Sequence, residues 1–193
     1  MSLIRRAQQW GSMSRIWHIY DAKWQDPYKS AVYLVPFLQG KIKPIYAPLS
    51  NKNIKITSAI KKFNPLVGDH VVVINSKDIA LRGDEWKKRV YFHHTTYHSG
   101  DTWTLAWELH RKNKTMIFKK AVYHALRGNL QRRHTMERLH IFPDENVPEE
   151  IMKNVSNQIR QLRPVPTHLD LIHEEVKEEF PRIMSYPSNY ILK

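Results

Sequence analysis

The sequence predicts an α/β domain with a mainly parallel sheet, and two observations carry this prediction. Residues 69–75, DHVVVIN, contain the consecutive branched aliphatic residues Val71, Val72, Val73 and Ile74. Such a run is typical of a strand that is buried on both faces, as in a parallel sheet. Segments with strand character also alternate along the chain with segments of helical periodicity, which is the pattern of α/β folds.

The elements before this strand are one strand, one helix and a basic loop. Residues 16–21, IWHIYD, predict a strand of aromatic and β-branched residues. Residues 28–39 carry apolar side chains at helical spacing, with Gly40 as a natural stop. Pro36 is expected to kink or shorten this helix. The prolines of the basic loop 41–48 then argue against regular structure.

The middle of the chain predicts short strands that lead into a helix. DIAL at 78–81 and KRVYF at 88–92 have strand character. Residues 93–101, HHTTYHSGD, indicate a polar loop. A helix is expected over about 102–111.

The later elements follow the same alternation. Residues 115–126 place apolar side chains at i, i+3, i+4 and i+7, and Gly128 is expected to end that helix. A short basic helix over 130–138 and a strand over 139–142 follow. Proline and two glutamates at the start of 148–162 predict a helix there, and the proline-rich residues after it predict an extended tail.

The charge of the chain points to a polyanionic partner. There are 31 Lys and Arg against 18 Asp and Glu, a net charge of +13, with 41% hydrophobic residues. Residues 1–142 carry a net charge of +16 and residues 143–193 a net charge of −3. A strongly basic chain with enough apolar residues for a core is typical of nucleic-acid binding. The first part is therefore expected to face the polyanion, and the second to face solvent or a protein neighbour.

The amino terminus has the composition of an import signal. Residues 1–20 contain three Arg and no acid, which is the pattern of mitochondrial targeting. A basic arm that touches RNA is the compatible alternative. The absence of cysteine excludes a disulfide scaffold and a cysteine nucleophile or zinc ligand. No apolar run approaches the ~18–20 residues that span a membrane.

The densest basic segment is 111–138. It contributes +8 of the net charge, with Glu137 as its one acid. A solvated helix face normally mixes charges of both signs in i,i+4 pairs, and this segment scarcely does. Arg side chains bind phosphate and stack on bases, so RNA contact is the favoured interpretation.

Two other residue groups have a functional and a structural interpretation. His93, His94 and His98 are candidate metal ligands, but a loop with one nearby acid favours hydrogen bonds to backbone or RNA. Trp103 and Trp107 lie at i,i+4 and are expected in the core rather than on a base-stacking surface. The chain has neither a Gly-rich phosphate loop nor a GxSxG elbow, so the sequence assembles no catalytic set.

Three blocks resemble the family of large ribosomal subunit protein thirteen, the universal L-thirteen family. They are WHIYDA with the helix up to LQGKIKPIYAP (17–48), GDHVVVIN through IALRGDEWKKRVYFHHTTYHSG (68–100), and KKAVYHALRGNLQRRHTMERLHIF (119–142). Together they cover most of residues 10–142 in the family's order. The opening RRAQQWGSMSRIW and the acidic extension after residue 142 are similar to animal mitochondrial members.

The chain departs from the family pattern at three places. The family's HHTGYPGG loop reads HHTTYHSG here, and its GMLP turn is replaced by His124 to Arg127. Residues 51–67, with four Lys and no acid, resemble an insertion and predict a surface loop or a marginal helix. An extra RNA-contacting loop and a gene-model artefact are the two explanations of this insertion.

The resemblance implies a three-layer α/β/α fold and binding to large-subunit rRNA, with a role in subunit assembly and no cofactor or catalysis. The domain prediction is a basic arm or import signal (1–15), an L-thirteen-like α/β domain (16–142) and an acidic helical and extended C-terminal extension (143–193). The residues expected to contact RNA are Lys41, Lys43, His93, His94, Lys119, Lys120, Arg127, Arg132, Arg133, His134 and Arg138.

The predicted function is a structural constituent of the mitochondrial large ribosomal subunit, located in the matrix and supporting mitochondrial translation. Its expected partners are large-subunit rRNA and neighbouring large-subunit proteins, with no membrane and no small-molecule substrate. The alternatives are a bacterial or plastid-type ribosomal counterpart, an RNA-processing enzyme and an additional role as a regulator that binds messenger RNA.

Overall fold

The computed structural model describes residues 14–44, 46, 67–129, 131–165 and 171–172. The predictions for the amino-terminal arm, the insertion 51–67 (apart from Val67) and most of the tail lie outside these residues. The strands are β1 (Trp17–Asp21), β2 (His70–Ile74), β3 (Val90–His94), β4 (Asp101–Leu105), β5 (Leu139–Ile141) and β6 (Val155–Ile159). The α-helices are α1 (Pro27–Gln39), α2 (Glu85–Lys88), α3 (Ala106–Lys112), α4 (Met116–Ala125), α5 (Arg132–Glu137) and α6 (Glu149–Met152).

A four-stranded parallel sheet lies at the centre, in the order β5-β2-β1-β6. Strand β2 is paired on both sides, and the three valines Val71, Val72 and Val73 are fully buried. The continuous aliphatic run therefore indicates burial on both faces of the strand. The predicted α/β class with a mainly parallel sheet is confirmed.

Helix α1 begins and ends as the sequence predicts. The Asp26 carboxylate accepts a hydrogen bond from the Tyr28 amide, Pro27 occupies the first turn, and Gly40 takes the left-handed conformation at φ 71°. The expected shortening at Pro36 is wrong, because the helix continues through it to Gln39. Buried Leu34, Val35 and Leu38 hold this last turn against the core.

Helices α1 and α4 pack against each other over one face of the sheet. That face carries Tyr20, whose hydroxyl is 2.7 Å from the Ser30 hydroxyl of α1, and His18, which meets Phe37 edge-on. The connection from β5 back to β6 crosses the sheet in the opposite direction to the β1–β2 connection. Helix α6 lies in this connection and none of its four residues is buried, so the three-layer arrangement stays a prediction.

The expected strand at 78–81 is wrong. A single 3-10 turn, Ser76–Asp78, follows β2, and it is preceded by Asn75 at φ 57°. The Ser76 hydroxyl donates to the Phe142 carbonyl at 2.9 Å, and the Asn75 side chain donates to Asp21. These contacts turn the chain away from the sheet at the end of β2.

Residues 90–105 form an antiparallel hairpin of β3 and β4 rather than a strand, a nine-residue loop and a helix. The predicted loop 93–101 overlaps both strands, and the helix expected over 102–111 begins only at Ala106. Thr102, Trp103 and Thr104 follow the alternation of a strand, and they pair with His93, Phe92 and Tyr91. Thr and Trp favour strands, and pairing with β3 accounts for a strand here instead of the expected helix.

The segment after β5 also differs from the prediction. The helix expected over 148–162 stops at Met152, and residues 155–159 form β6 at the edge of the sheet. Ile159 is buried against the core, and this packing favours pairing with β1 over continued helix. The helix expected over 115–126 is confirmed, although it ends at Ala125 rather than at Gly128.

The main compact unit runs through Arg163, and residues 164–193 form a second unit. Within the described ranges, no helix has the length and hydropathy needed to cross a membrane.

Candidate nucleic-acid interface

Apart from Lys41, the exposed cations of the predicted RNA site lie on α4, on α5 and on the loop between them. Lys119, Arg127 and Arg133 are exposed. Their side chains make no ion pair with the described residues. His134 is exposed on the same helix as Arg133, 3.5 Å from Glu137. The three Lys and Arg side chains have no carboxylate partner among the described residues and are available to phosphate. We call Lys119, Arg127, Arg133 and His134 the basic surface.

Arg132 has a structural role that the sequence did not indicate. Its guanidinium donates to the carbonyls of Leu126 at 2.8 Å and Arg127 at 3.2 Å, which closes the carboxyl end of α4. The same group lies 4.3 Å from the centre of the Tyr123 ring. Arg132 therefore shapes the loop that presents Arg127, while Arg133 beside it is exposed.

Lys120 has features of both an exposed surface cation and a residue that contacts the fold. It is partly exposed, and its ammonium is 5.7 Å from the centre of the Tyr91 ring at the base of the hairpin. The hydroxyl of Tyr91 is in turn 2.7 Å from that of Tyr28 on α1. Burial and the hydrogen bond with Tyr28 raise the pKa of Tyr91, so this phenol stays neutral. Lys120 thus borders the basic surface and contacts the hairpin at the same time.

Lys43 is an interior residue and not a surface ligand. It is 8% exposed, and its ammonium donates to the Asp69 carboxylate and to the Ser14 carbonyl. Asp69 also accepts from the Ile16 amide at 2.8 Å and lies 3.5 Å from His18. Burial acts to raise the pKa of Asp69, but His18, the Ile16 amide and Lys43 outweigh it and hold the pKa below its usual value.

Arg138 is buried as well. It is 6% exposed, and its guanidinium donates to the Leu38 carbonyl at 2.9 Å. Gly68 packs closely against this contact. A Cβ at position 68 would lie 1.9 Å from the Leu38 oxygen and 2.8 Å from the Arg138 guanidinium. Burial and the charge of Arg15 lower the pKa of Arg138, which still remains a cation.

The structure therefore removes Lys43 and Arg138 from the predicted RNA site. Both lie in basic stretches of the sequence, yet their charged groups face buried carbonyl or carboxylate oxygens. Lys41, two residues before Lys43, is exposed and stays a candidate. The signal that sequence analysis missed is the Gly68-Asp69 pair, which supplies a buried carboxylate and a close backbone approach at the amino ends of the strands.

The hairpin presents His93 and His94 to solvent together with aromatic rings that the sequence placed in the core. Trp103 is 69% exposed and Trp107 is 45% exposed, so the expected core role for both is wrong. The rings of Phe92 and Trp103 lie 4.6 Å apart on one face of the hairpin. The alternation of DTWTL at 101–105 was the signal for a strand that sets Trp103 outward.

The three histidines of the hairpin do not share a ligand set. His94 lies 3.3 Å from Asp101, whereas His98 is bonded to Ser99 at 3.0 Å. Across the described part of the chain, no three His, Asp or Glu residues are grouped as metal ligands would be.

Comparisons with known proteins identify the family. The family described as Ribosomal protein L13 matches residues 15–148. The chain is 54% identical over 193 residues to the "Large ribosomal subunit protein uL13m" of Drosophila melanogaster, an alignment that covers all of both chains. Residues 51–67 and the acidic extension are thus part of this alignment.

Bacterial relatives match the same domain. The chain is 33% identical over 111 residues to the "Large ribosomal subunit protein uL13" of Acholeplasma laidlawii, covering 58% of this chain and 68% of the relative. It is 28% identical over 138 residues to the protein of that name in Geobacter sulfurreducens, covering 72% and 86%. With the parallel sheet and the basic surface described above, these matches show that the chain belongs to the ribosomal protein L13 family.

Proposed function

We propose that this protein is a structural constituent of the large subunit of the mitochondrial ribosome, where it holds large-subunit rRNA and supports subunit assembly and mitochondrial translation. The full-length similarity to the fly uL13m protein supports the mitochondrial branch. The acid-free residues 1–20 are consistent with import into the matrix. The proposed role is structural and needs neither a cofactor nor a small-molecule substrate.

The observation that carries RNA binding is the basic surface. Its Lys119, Arg127 and Arg133 are exposed on α4, on α5 and on the loop between them, and they have no carboxylate partner among the described residues. Phosphate contacts of this kind supply much of the affinity of proteins for nucleic acids. The exposed rings of Phe92 and Trp103, beside His93 and His94, add a surface on which unpaired bases can stack.

The acidic extension is proposed to face proteins rather than rRNA. Residues 143–193 carry a net charge of −3. Glu149 and Glu150 of α6 are exposed and form no ion pair within the described ranges. Negative charge next to rRNA is unfavourable, so a neighbouring large-subunit protein or solvent is the proposed environment.

The test of the RNA face is a charge reversal with a matched control. The double variant Arg127→Glu/Arg133→Glu should weaken binding to a large-subunit rRNA fragment. It should also flatten the dependence of log affinity on log salt by roughly 0.7–0.9 for each phosphate that the protein no longer neutralises. The control Glu149→Lys/Glu150→Lys changes the net charge away from the basic surface and should not weaken binding. Equal salt slopes for the folded double variant and the wild type would refute this placement.

The cellular assignment is tested separately. Tagged full-length protein should sediment with the mitochondrial large subunit from cell extract, and residues 1–30 fused to a fluorescent protein should enter mitochondria. If the full-length chain stayed outside mitochondria, the mitochondrial assignment would be wrong even if rRNA binding survived.

A further inference from the structure

A two-part pocket opens at the carboxyl ends of β1, β2 and β6, away from the residues used above. One cavity of about 360 Å³ is lined by both charged and apolar residues, and a second of about 340 Å³ adjoins it. Trp24, Ala80 and Leu81 line both cavities. Each volume lies within the range of about 300–1,000 Å³ that small-molecule clefts occupy.

The position of this pocket matches the usual ligand position in open parallel α/β sheets. The chain leaves β1 toward β2 on one side, while β6 joins β1 from the other side after a return crossover. The strand order therefore reverses between β1 and β6. Ligands of such sheets bind outside the carboxyl ends of the strands at this reversal.

The first cavity is cationic. Lys29, Arg82 and Arg163 line it together with one acid, Asp26, which lies 3.3 Å from Arg82. Lys29 and Arg163 are exposed, and their side chains make no ion pair with the described residues. A compartment with three cations and one already paired carboxylate favours an anionic group, such as a phosphate.

The second cavity is aromatic. Trp24 and Trp86 both line it, with the aliphatic side chains of Ile79 and Leu81 and with Asp78. Indole rings and aliphatic side chains in one lining are the groups that contact a planar base. The Asp78 carboxylate supplies an acceptor for a base amino group.

Trp24 has an exposure and a backbone conformation that are unusual for tryptophan. It is 57% exposed although it is the largest apolar side chain, and its backbone has φ 56°, a conformation that bulky residues rarely adopt. Its amide donates to the Asp78 carbonyl at 2.8 Å. Strained backbone of this kind persists where the surroundings enforce it, and it clusters at ligand sites.

The buried side chain of Gln25 connects the segments that line the pocket. Gln25 is 1% exposed, and its side chain donates to the Arg163 carbonyl at 2.8 Å and accepts from the Arg163 amide at 3.1 Å. The Ala80 amide donates to the Gln25 carbonyl at 3.0 Å. Gln25 thereby fixes the three segments that follow β1, β2 and β6 around one opening.

We propose that this pocket binds one nucleotide unit, with the base against Trp24 and Trp86 and the phosphate among Lys29, Arg82 and Arg163. The ligand chemistry is a planar base joined to a phosphate. A free mononucleotide and a nucleotide turned out of an RNA strand both have this chemistry. The proposal does not depend on rRNA docking at the basic surface.

The test is calorimetric titration of the full-length protein with adenosine 5′-monophosphate and, separately, with a short single-stranded RNA. Trp24→Gly should lower the affinity for the bound probe about tenfold, because it removes the stacking ring. Thermal stability should not fall, since glycine adopts φ 56° without strain. Trp24→Phe keeps a ring and should retain most of the binding. Trp107→Ala, which removes an exposed ring on α3 away from the pocket lining, is the matched control and should bind the mononucleotide as the wild type does.

Further variants and probes test which residues bind the phosphate, and whether the ligand is a free nucleotide or part of an RNA strand. Lys29→Gln/Arg163→Gln should weaken binding of the monophosphate but leave binding of adenosine unchanged. Mononucleotide binding that Trp24→Gly weakens about tenfold supports a free ligand, and RNA binding alone with the same sensitivity supports a nucleotide from a strand. If Trp24→Gly bound both probes as the wild type does, or if neither probe bound, the proposal would be overturned. Arg127→Glu/Arg133→Glu should leave mononucleotide binding intact, so failure of rRNA docking is a distinguishable result.

Discussion

The basic residues of this chain are used in two opposite ways, in the interior at the amino ends of the parallel strands and on the surface of α4 and α5. In the interior, Lys43 and Arg138 are almost fully buried and bind Asp69 and the Leu38 carbonyl. On the surface, Arg127 and Arg133 are exposed and have no carboxylate partner among the described residues. Arg133 and Arg138 differ in this way although they are five positions apart in one basic segment.

The difference shows that positive charge in the sequence does not by itself identify a docking surface. A buried cation stabilises the fold only while its partner is present, since removing the partner leaves an uncompensated charge. An exposed cation contributes little to folding and is free to bind phosphate. Substitutions should therefore separate the two groups, with large effects on stability in the first and effects on RNA affinity in the second.

The largest expected effect is at Asp69. Asp69→Ala removes the acceptor of the buried Lys43 and of the Ile16 amide, and we expect a loss of about 3–5 kcal/mol in the free energy of unfolding. Denaturant unfolding measures this. The control Glu137→Ala removes an exposed carboxylate near His134 and should change stability by no more than about 0.5 kcal/mol. A loss as small as that of the control would show that the buried pair does not hold this end of the sheet.

The next effect is a dependence of stability on pH at the same end of the sheet. Burial, with His140, Arg15 and Arg138 nearby, lowers the pKa of His70 to about 4. The unfolded chain protonates this histidine near pH 6.5 and so binds more protons than the fold between pH 6.5 and about 4. Stability should therefore fall as the pH falls through this window, by at most about 1.4 kcal/mol per pH unit for His70.

The control for this pH dependence is His70→Gln, which cannot titrate. Its unfolding free energy should fall less steeply between pH 6.5 and 4, although His140, whose pKa burial also lowers, keeps part of the slope. Identical slopes in the two proteins would contradict a neutral His70 in the fold. The lowered pKa of Asp69 acts below this window, because its unfolded value is near 3.9.

Gly68 should be intolerant of any side chain. Gly68→Ala places a methyl group on the Leu38 carbonyl and against Arg138, and we expect a loss of about 1–3 kcal/mol of stability. Gly128→Ala is the matched control on the surface side, where the nearest atom is the Arg132 guanidinium at 3.4 Å. Thermal unfolding of both variants would show a clear fall in the melting temperature for Gly68→Ala alone if the close approach is real.

The smallest effects separate two neighbours on α5. Arg132→Gln loses two hydrogen bonds to the end of α4 and should cost about 1–2 kcal/mol of stability. Arg133→Gln should change stability by no more than about 0.5 kcal/mol but should lower rRNA affinity at low salt. Equal stability of the two variants would mean that Arg132, like Arg133, belongs only to the basic surface.

Sequence analysis identified the elements whose evidence is local. The strand β2 follows from its four aliphatic residues, and α1 and α4 follow from their spacing, with Asp26 and Gly40 marking the ends of α1. The net charge of residues 1–142 also indicated a polyanionic partner without any coordinates. These features depend on composition and on contacts between near neighbours in the chain.

The features that required the fold all depend on partners distant in sequence. Strand β6 pairs with β1 across 138 residues, which overrides the helical start at Pro148. Trp103 faces solvent because β4 pairs with β3. Packing also decides which oxygens lie near Lys43, Arg132 and Arg138, and these oxygens bind their cationic groups within the fold.

A charge, a periodicity and a turn residue are properties of the chain that stay the same in every environment. Burial, pairing and the proximity of a carboxylate are created only when remote segments pack together. For this protein, the chain alone establishes the α/β class, the ends of α1 and the excess of positive charge. Packing decides which cations are buried and which are exposed, because desolvation makes each buried charge require an oxygen partner in the interior.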